Sequence, residues 1–219
     1  PTLVMHSALG LLKERRFLPL FVTQFLGAFN DNLFKQAMVI VVVYQIYNNP
    51  QYEQSFTALA TAISIIPFFL LSALAGQLAD ANDKSKIIRI VKTAEIVIML
   101  VGGSGLLLAK AGHTAIGMAF MLTAVLALGI HSTFFGPIKY AILPQHLEED
   151  EVLGGTGLVE SATYLAILLG TVLAGFMKVE HAVIGTLVVA AIGWFAGRRV
   201  PPAPRVGPEL KINYNPFTA

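Results

Sequence analysis

Cysteine is absent from this 219-residue chain, and charge is scarce: Asp, Glu, Lys and Arg make up 13% of residues, against about a quarter in soluble domains. The first absence excludes disulfides and thiolate metal sites. The second, with 55% hydrophobic residues and a mean hydropathy of +0.69, excludes a water-soluble fold, because so apolar a chain cannot cover itself with polar surface. A net charge of +2 is too small to point to nucleic acid. Enzyme signatures are missing too. Gly102, Gly103, Ser104 and Gly105 do not make G-x-S-x-G. Gly155 and Gly157 lack the third glycine of a dinucleotide loop. His146 and Glu151 fall short of the acyltransferase H-x4-D because the final residue is Glu. No His and carboxylate spacing suits zinc, and no cleavable signal is evident near the first apolar run. The segment therefore reads as no enzyme, with no cofactor and no metal.

What the chain does have is long apolar runs. Six can be drawn, over 17–47, 56–79, 87–109, 115–140, 153–177 and 182–196, each near the ~20 residues that cross a bilayer as helix. Barrel strands would instead alternate over about ten residues. The first run exceeds the ~30 Å hydrocarbon core and must tilt or project. Gly136 and Pro137 are expected to bend or stop the fourth, and the sixth is short and needs flanking residues.

Cations set an orientation. Lys13, Arg15, Arg16, Lys84, Lys86, Arg89, Lys92, Lys139, Arg198, Arg199 and Arg205 fall on one side, and only Lys110 and Lys178 on the other. The positive-inside rule places both ends of the segment in the cytoplasm. Residues 1–199 are then a six-span bundle. Residues 200–219, with Pro201, Pro202, Pro204 and Pro208, form a Pro-rich cytoplasmic linker. The chain begins with Pro rather than Met, which is the expectation for a piece of a longer polypeptide.

Polar residues inside the first run carry the functional reading. Gln24, Ala28, Asp31 and Lys35 share one helical face, with Asn32 and Gln36 on an adjacent stripe. Charge at this depth is costly, and tends to mark a pathway. Gln24, Asp31, Asn32 and Lys35 are the candidate substrate-binding residues, lining a water-filled cavity. The structural alternatives are an internal Asp31–Lys35 pair or a polar helix–helix contact. Glu95 and Glu160 are candidates to pair with Lys139, or to be structural or solvated near the interface. His131 is a proton carrier or a hydrogen-bonded packing residue. Ala166, Gly170 and Ala174 make a small-residue stripe for close helix packing.

Between the second and third runs lies GQLADANDKSK, residues 76–86. Gly76 permits close backbone approach, Asp80 can cap the following helix, and lysines such as Lys84 can face phosphates or helix C-termini. The stretch resembles the signature loop of the major facilitator superfamily, G-x-L-A-D-R-x-G-R-[KR]. Gly76, Leu78, Ala79 and Asp80 match it; Ala81, Asp83 and Ser85 depart from it, and Lys84 stands for its second Arg. Together with QFLGAFNDNLFKQA, FFGPIKYAILPQ and GLVESATYLAILLGTVLAG, it is similar to the lysophospholipid transporter branch of that superfamily. Members carry A-F-x-D-N, G-Q-x-A-D, P-x-K-Y-x-I-L and G-L-x-E segments.

That resemblance implies an all-α membrane protein whose six helices form two inverted three-helix repeats, the N-terminal half of a twelve-span transporter. Gly76, Asp80 and Lys84 become gating residues. The implied substrate is a lysophospholipid, moved toward the cytoplasmic leaflet of a bacterial inner membrane for re-acylation. The implied partners are membrane lipids, a C-terminal six-helix half of the same polypeptide, and a fused acyltransferase/acyl-ACP synthetase. A transporter of another small solute, or a membrane anchor for a fused lipid-acylating enzyme, are the competing expectations.

Overall fold

The computed structural model describes residues 8–207 and 209–215. Pro208 and residues 216–219, assigned to the linker from sequence, lie outside the described residues. The chain is all-α, with no strand among the described residues. Among the described residues, six helices are long and apolar enough to cross a membrane. They are α1 (Leu18–Ile40), α2 (Glu53–Ala81), α3 (Lys84–Lys110), α4 (Thr114–Ala141), α5 (Val152–Phe176) and α6 (Val179–Arg198). A π-helical segment, Val41–Ile46, continues α1, so the overlong first run ends in a wider coil. The fourth run does not stop at Pro137: α4 passes through it to Ala141. The lost backbone bond is tolerated where neighbouring helices pack around the break. Helix α6 draws its missing length from both flanks and reaches 20 residues.

The helices pair in a pattern with internal symmetry. Helix α1 packs mainly on α5 and α6, α4 on α2 and α3, and α3 on α6. Exchanging α1, α2 and α3 for α4, α5 and α6 maps this pattern onto itself. Three is an odd number of crossings, so the two triplets run in opposite directions. That is the arrangement of inverted repeats.

Two apolar cores fill the bundle. One lies toward the end where α1 begins and α6 finishes, the terminal end, and includes Phe17, Leu20, Ile88, Phe135 and Val159. The other includes Phe34, Met38, Met99, Met121 and Val183. Helices approach closely where side chains are absent: a Cβ at Gly170 would strike the Phe29 carbonyl of α1. Ala166 and Ala174 continue that stripe and are buried. Such approach compensates for the missing hydrophobic drive between helices in lipid.

At the terminal end, Asp83 caps α3 by accepting from the Ser85 backbone NH at 2.9 Å. The cap expected of Asp80 is not made, because α2 continues through it to Ala81 and leaves Asp80 exposed. Asp83 also accepts from the Ala203 backbone NH at 3.0 Å, and the Lys84 backbone NH donates to the Ala203 carbonyl at 3.0 Å. Burial opposes charge on Asp83, but bonds from Ser85 and Ala203 outweigh it and hold the carboxyl below its ordinary range. Residues 201–207 have no regular structure, yet Val200 and Ala203 are buried against the bundle. Arg16 and Glu151 tie the segment before α1 to the start of α5 through bonds of 2.7 and 2.8 Å.

Candidate functional site

Between the two apolar cores lies a polar layer, and it divides into two parts. The first is sealed. Lys92 of α3 ion-pairs with Glu95 one turn later, and both side chains are fully buried. The Asn30 side-chain amide of α1 donates to Glu95 at 3.1 Å and to the Thr186 carbonyl of α6 at 3.0 Å. His131 Nε2 of α4 lies 3.4 Å from the Glu95 carboxylate. Glycines make room for the lysine stem: a Cβ at Gly193 would sit 3.0 Å from Lys92 Cε, and one at Gly197 3.1 Å from its Cγ.

The second part is a cavity of about 190 Å³ bounded by α1, α4 and α5. Gln24, Asp31, Asn32, Ser132, Lys139 and Thr163 supply its polar lining, and His131 stands at its edge toward the sealed pair. Asp31 accepts from the Ser132 hydroxyl at 3.1 Å. The Thr163 hydroxyl is placed to donate to Gln24 at 2.8 Å and to the Val159 carbonyl at 2.7 Å, so one hydrogen serves two acceptors. Lys139 Nζ reaches the Thr163 hydroxyl at 3.4 Å and lies 5.0 Å from the Tyr140 ring centroid. Much of this lining is unsatisfied. Gln24 Nε2, Asp31 Oδ1 and His131 Nδ1 are buried without a hydrogen-bond partner. Orphaned polar atoms are costly in a dry interior and call for water or a ligand. Asp31 lies roughly 20 Å along the axis from the start of α1, at ~1.5 Å per residue, near the middle of a bilayer.

Of the residues singled out in the sequence, the fold brings Gln24, Asp31, Asn32 and Lys139 to one cavity. Asn32 is partly engaged, because its amide donates to the Ala28 carbonyl at 2.8 Å. Lys35 is half-buried and does not line this cavity. No ion pair joins it to Asp31 among the described residues. Glu95 is not a partner for Lys139. It turns into the bundle toward Lys92, which is one turn away on its own helix, while Lys139 lies near the end of α4. Glu160 accepts from the Tyr140 hydroxyl. Lys84 is buried, so its ammonium does not stand free at the loop. Gly76 has open space around it, and its closest approach is not made within this segment.

Sequence reasoning missed Lys92 and Thr186. Lys92 stood among the orientation-setting cations, although its i,i+3 spacing to Glu95 was visible and signalled an internal pair. Among the described residues, no group of three or more His, Asp or Glu side chains is arranged to hold a metal ion.

No family model matches the chain. Curated relatives do. A lysophospholipid transporter LplT of Cronobacter sakazakii is 26% identical over 219 residues, 97% of this chain and 50% of the relative. A protein of the same name from Serratia proteamaculans is 28% identical over 192 residues, covering 88% of this chain and 43% of its own. Another, from Salmonella schwarzengrund, is 29% identical over 181 residues, 83% and 40% respectively. The chain thus spans about half the length of the curated relatives it matches. It is similar to one half of a lysophospholipid transporter. All three relatives carry the name of a transporter, not of an enzyme.

Proposed function

We propose that this segment is the N-terminal half of a major-facilitator-type lysophospholipid transporter, with its cavity holding the head group. The observation that carries the reading is the unsatisfied cavity itself. It presents an anion, Asp31, and a cation, Lys139, with the free amide of Gln24 beside them. A lysophospholipid head group has a phosphate and, in many cases, an ammonium or hydroxyl. Lys139 meets the phosphate; Asp31 and Gln24 meet the rest. Lys35, a candidate from the sequence, does not line this cavity. A cavity of about 190 Å³ suits a head group, and the acyl chain remains in apolar surroundings.

A second six-helix half closes the cavity and rocks against this one, with Gly76 and Asp80 forming cytoplasmic gate contacts across the interface. The exposure of Asp80 and the open space beside Gly76 fit contacts made to another part of the protein. Both ends of the segment are cytoplasmic in the bacterial inner membrane, with the tail as a partly docked linker. Exposed Lys13, Arg15, Lys86, Arg89, Arg198, Arg199 and Arg205 support that orientation even after buried Lys84 and Lys92 are discounted. An acyltransferase/acyl-ACP synthetase fused beyond the second half would re-acylate the delivered lipid.

The test is flipping of a fluorescent lysophospholipid by the full-length protein in proteoliposomes, normalised to folded protein. Asp31→Asn and Lys139→Ala are each expected to lower the rate tenfold or more, and Lys35→Ala less. An unchanged rate with Asp31→Asn would sink the site. Single cysteines at Gln51 and Arg205, labelled from each side, check orientation; outside labelling at Arg205 reverses it.

A further inference from the structure

A larger concavity lies elsewhere, on the other flank of α4. It is a groove of about 830 Å³ between the terminal-end halves of α2 and α3, with α4 as its floor. Its wall is almost wholly apolar. Ile90 and Val97 of α3 and Ile130 of α4 line it and are exposed at 69%, 56% and 38%. Its mouth is polar, with Asn82 and Lys86 at the α2–α3 turn. Lys86 is exposed and no ion pair within 4 Å engages it among the described residues. The nearby carboxylate, Asp83, is hydrogen-bonded by Ser85 and Ala203 and feels the Lys86 charge without pairing with it within 4 Å. Lys86 also stands in the first turn of α3, where the helix dipole favours an anion.

The groove and the polar cavity share one lining residue, His131. On α4 the groove side carries Ala127, Ile130 and Phe134, and the cavity side Ser132, Phe135 and Lys139. At 100° per residue these sets lie on faces roughly 140° apart, with His131 at the divide. A second transporter half that closes the cavity therefore meets α4 on the face away from the groove.

We infer that this groove is a binding site for a resident anionic phospholipid of the leaflet at the terminal end, with phosphate on Lys86 and acyl chain along Ile90, Val97 and Ile130. Charge complementarity selects the occupant: Lys86 is the charged side chain lining the mouth, and no carboxylate lines the groove. Basic sites between membrane helices at the headgroup level hold anionic lipids by this chemistry. The bound lipid is distinct from the transported one, whose head group occupies the cavity across α4, and the inference stands or falls independently of that transport reading.

The experiment uses full-length protein carrying Val97→Trp and Trp194→Phe, reconstituted with brominated-tail phosphatidylglycerol or phosphatidylcholine. Phosphatidylglycerol is expected to quench Trp at a several-fold lower mole fraction than phosphatidylcholine. Lys86→Gln and Lys86→Glu should abolish that preference, and Ala94→Leu should weaken quenching by both lipids. Equal quenching by the two lipids overturns the proposal, as does a preference that survives Lys86→Glu. Absence of quenching overturns it too, since the groove is then covered by protein. Quenching by brominated lysophosphatidylglycerol but not by the diacyl lipid would make the groove part of the substrate route and overturn a resident site. Asp31→Asn, which tests the transport reading, should leave the lipid preference unchanged.

Discussion

Two polar groups of similar depth sit side by side in this bundle, and they are finished to different degrees. The charges of the Lys92–Glu95 pair are sealed: Asn30 and His131 approach the carboxylate, and Gly193 and Gly197 yield space to the lysine stem, while the neutral Asn30 Oδ1 beside them is buried without a partner. The cavity across His131 is left incomplete. Asp31 has one bound and one orphaned oxygen, and Gln24 has a free amide. A charge pair that exists to hold helices together needs its partners in place, because each unpaired member costs several kcal/mol in a dry interior. A site that receives a charged head group must keep partners vacant. Burial alone does not distinguish a functional charge from a structural one; the state of its hydrogen bonds does.

The largest effect should come from breaking the sealed pair. Glu95→Ala leaves Lys92 buried and uncompensated, with an expected loss of about 3–5 kcal/mol and a fall in folded yield. Thermal unfolding of detergent-solubilised protein, read by Trp fluorescence, measures it. The double replacement Lys92→Met with Glu95→Leu should recover most of the loss, since an apolar pair of similar volume restores packing. If the double variant stays as unstable as Glu95→Ala, the pair does more than hold the bundle.

A milder disturbance leaves both charges and removes their space. Gly193→Val places branched carbons against Lys92 Cε, where even a Cβ would lie at 3.0 Å. Overpacking of this kind costs about 1–3 kcal/mol. The same melting measurement checks it, and a neutral outcome would show that the α3–α6 contact is looser than the close approach implies.

Much of this was legible in the sequence, and the illegible parts have a common cause. Six apolar runs gave six helices, because continuous hydrophobicity over ~20 residues has few other solutions. Gln24, Asp31 and Asn32 could be placed on α1 because helical periodicity groups them without reference to any other helix. Lys139 could not be joined to them from spacing, since it comes from α4 and depends on how two helices rotate against each other. The Asp80 cap failed for a local reason: α2 continues through Asp80, and Asp83 is the residue whose backbone leaves the helical region before α3. Lys92 was misread because a cation near a span end suggests an interface, whereas glycines on α6, distant in sequence, draw it inside.

On the cavity side the comparison predicts a small change in stability. Asp31→Asn keeps the shape and removes a carboxylate that is only half satisfied. The melting temperature should move little or rise, by an amount equivalent to about 1 kcal/mol or less, while flipping collapses. A loss comparable to that of Glu95→Ala would place Asp31 with the sealed pair instead, and the distinction between the two groups would fail.

The smallest effect belongs to a charge pair outside the membrane layer, which calibrates the buried one. Arg16 and Glu151 bond through both nitrogens and both oxygens and are part-exposed. The hydrogen bond from Arg16 holds the Glu151 carboxyl below its ordinary range, and Arg16 is raised by the same bond. A depressed carboxylate contributes stability above its unfolded value of about 4.3 and loses it as pH falls through the folded value. Arg16 stays charged throughout and adds no pH dependence. Glu151→Gln should therefore cost no more than about 1 kcal/mol at neutral pH, the scale of surface pairs. The gap between parent and variant should narrow as pH falls below about 4. Melting curves at pH 7, 5, 4 and 3, with and without added salt, follow the gap. A difference that persists unchanged at the lowest pH would mean that the loss comes from packing of the Glu151 side chain, and the charge pair would then set no baseline for its buried counterpart.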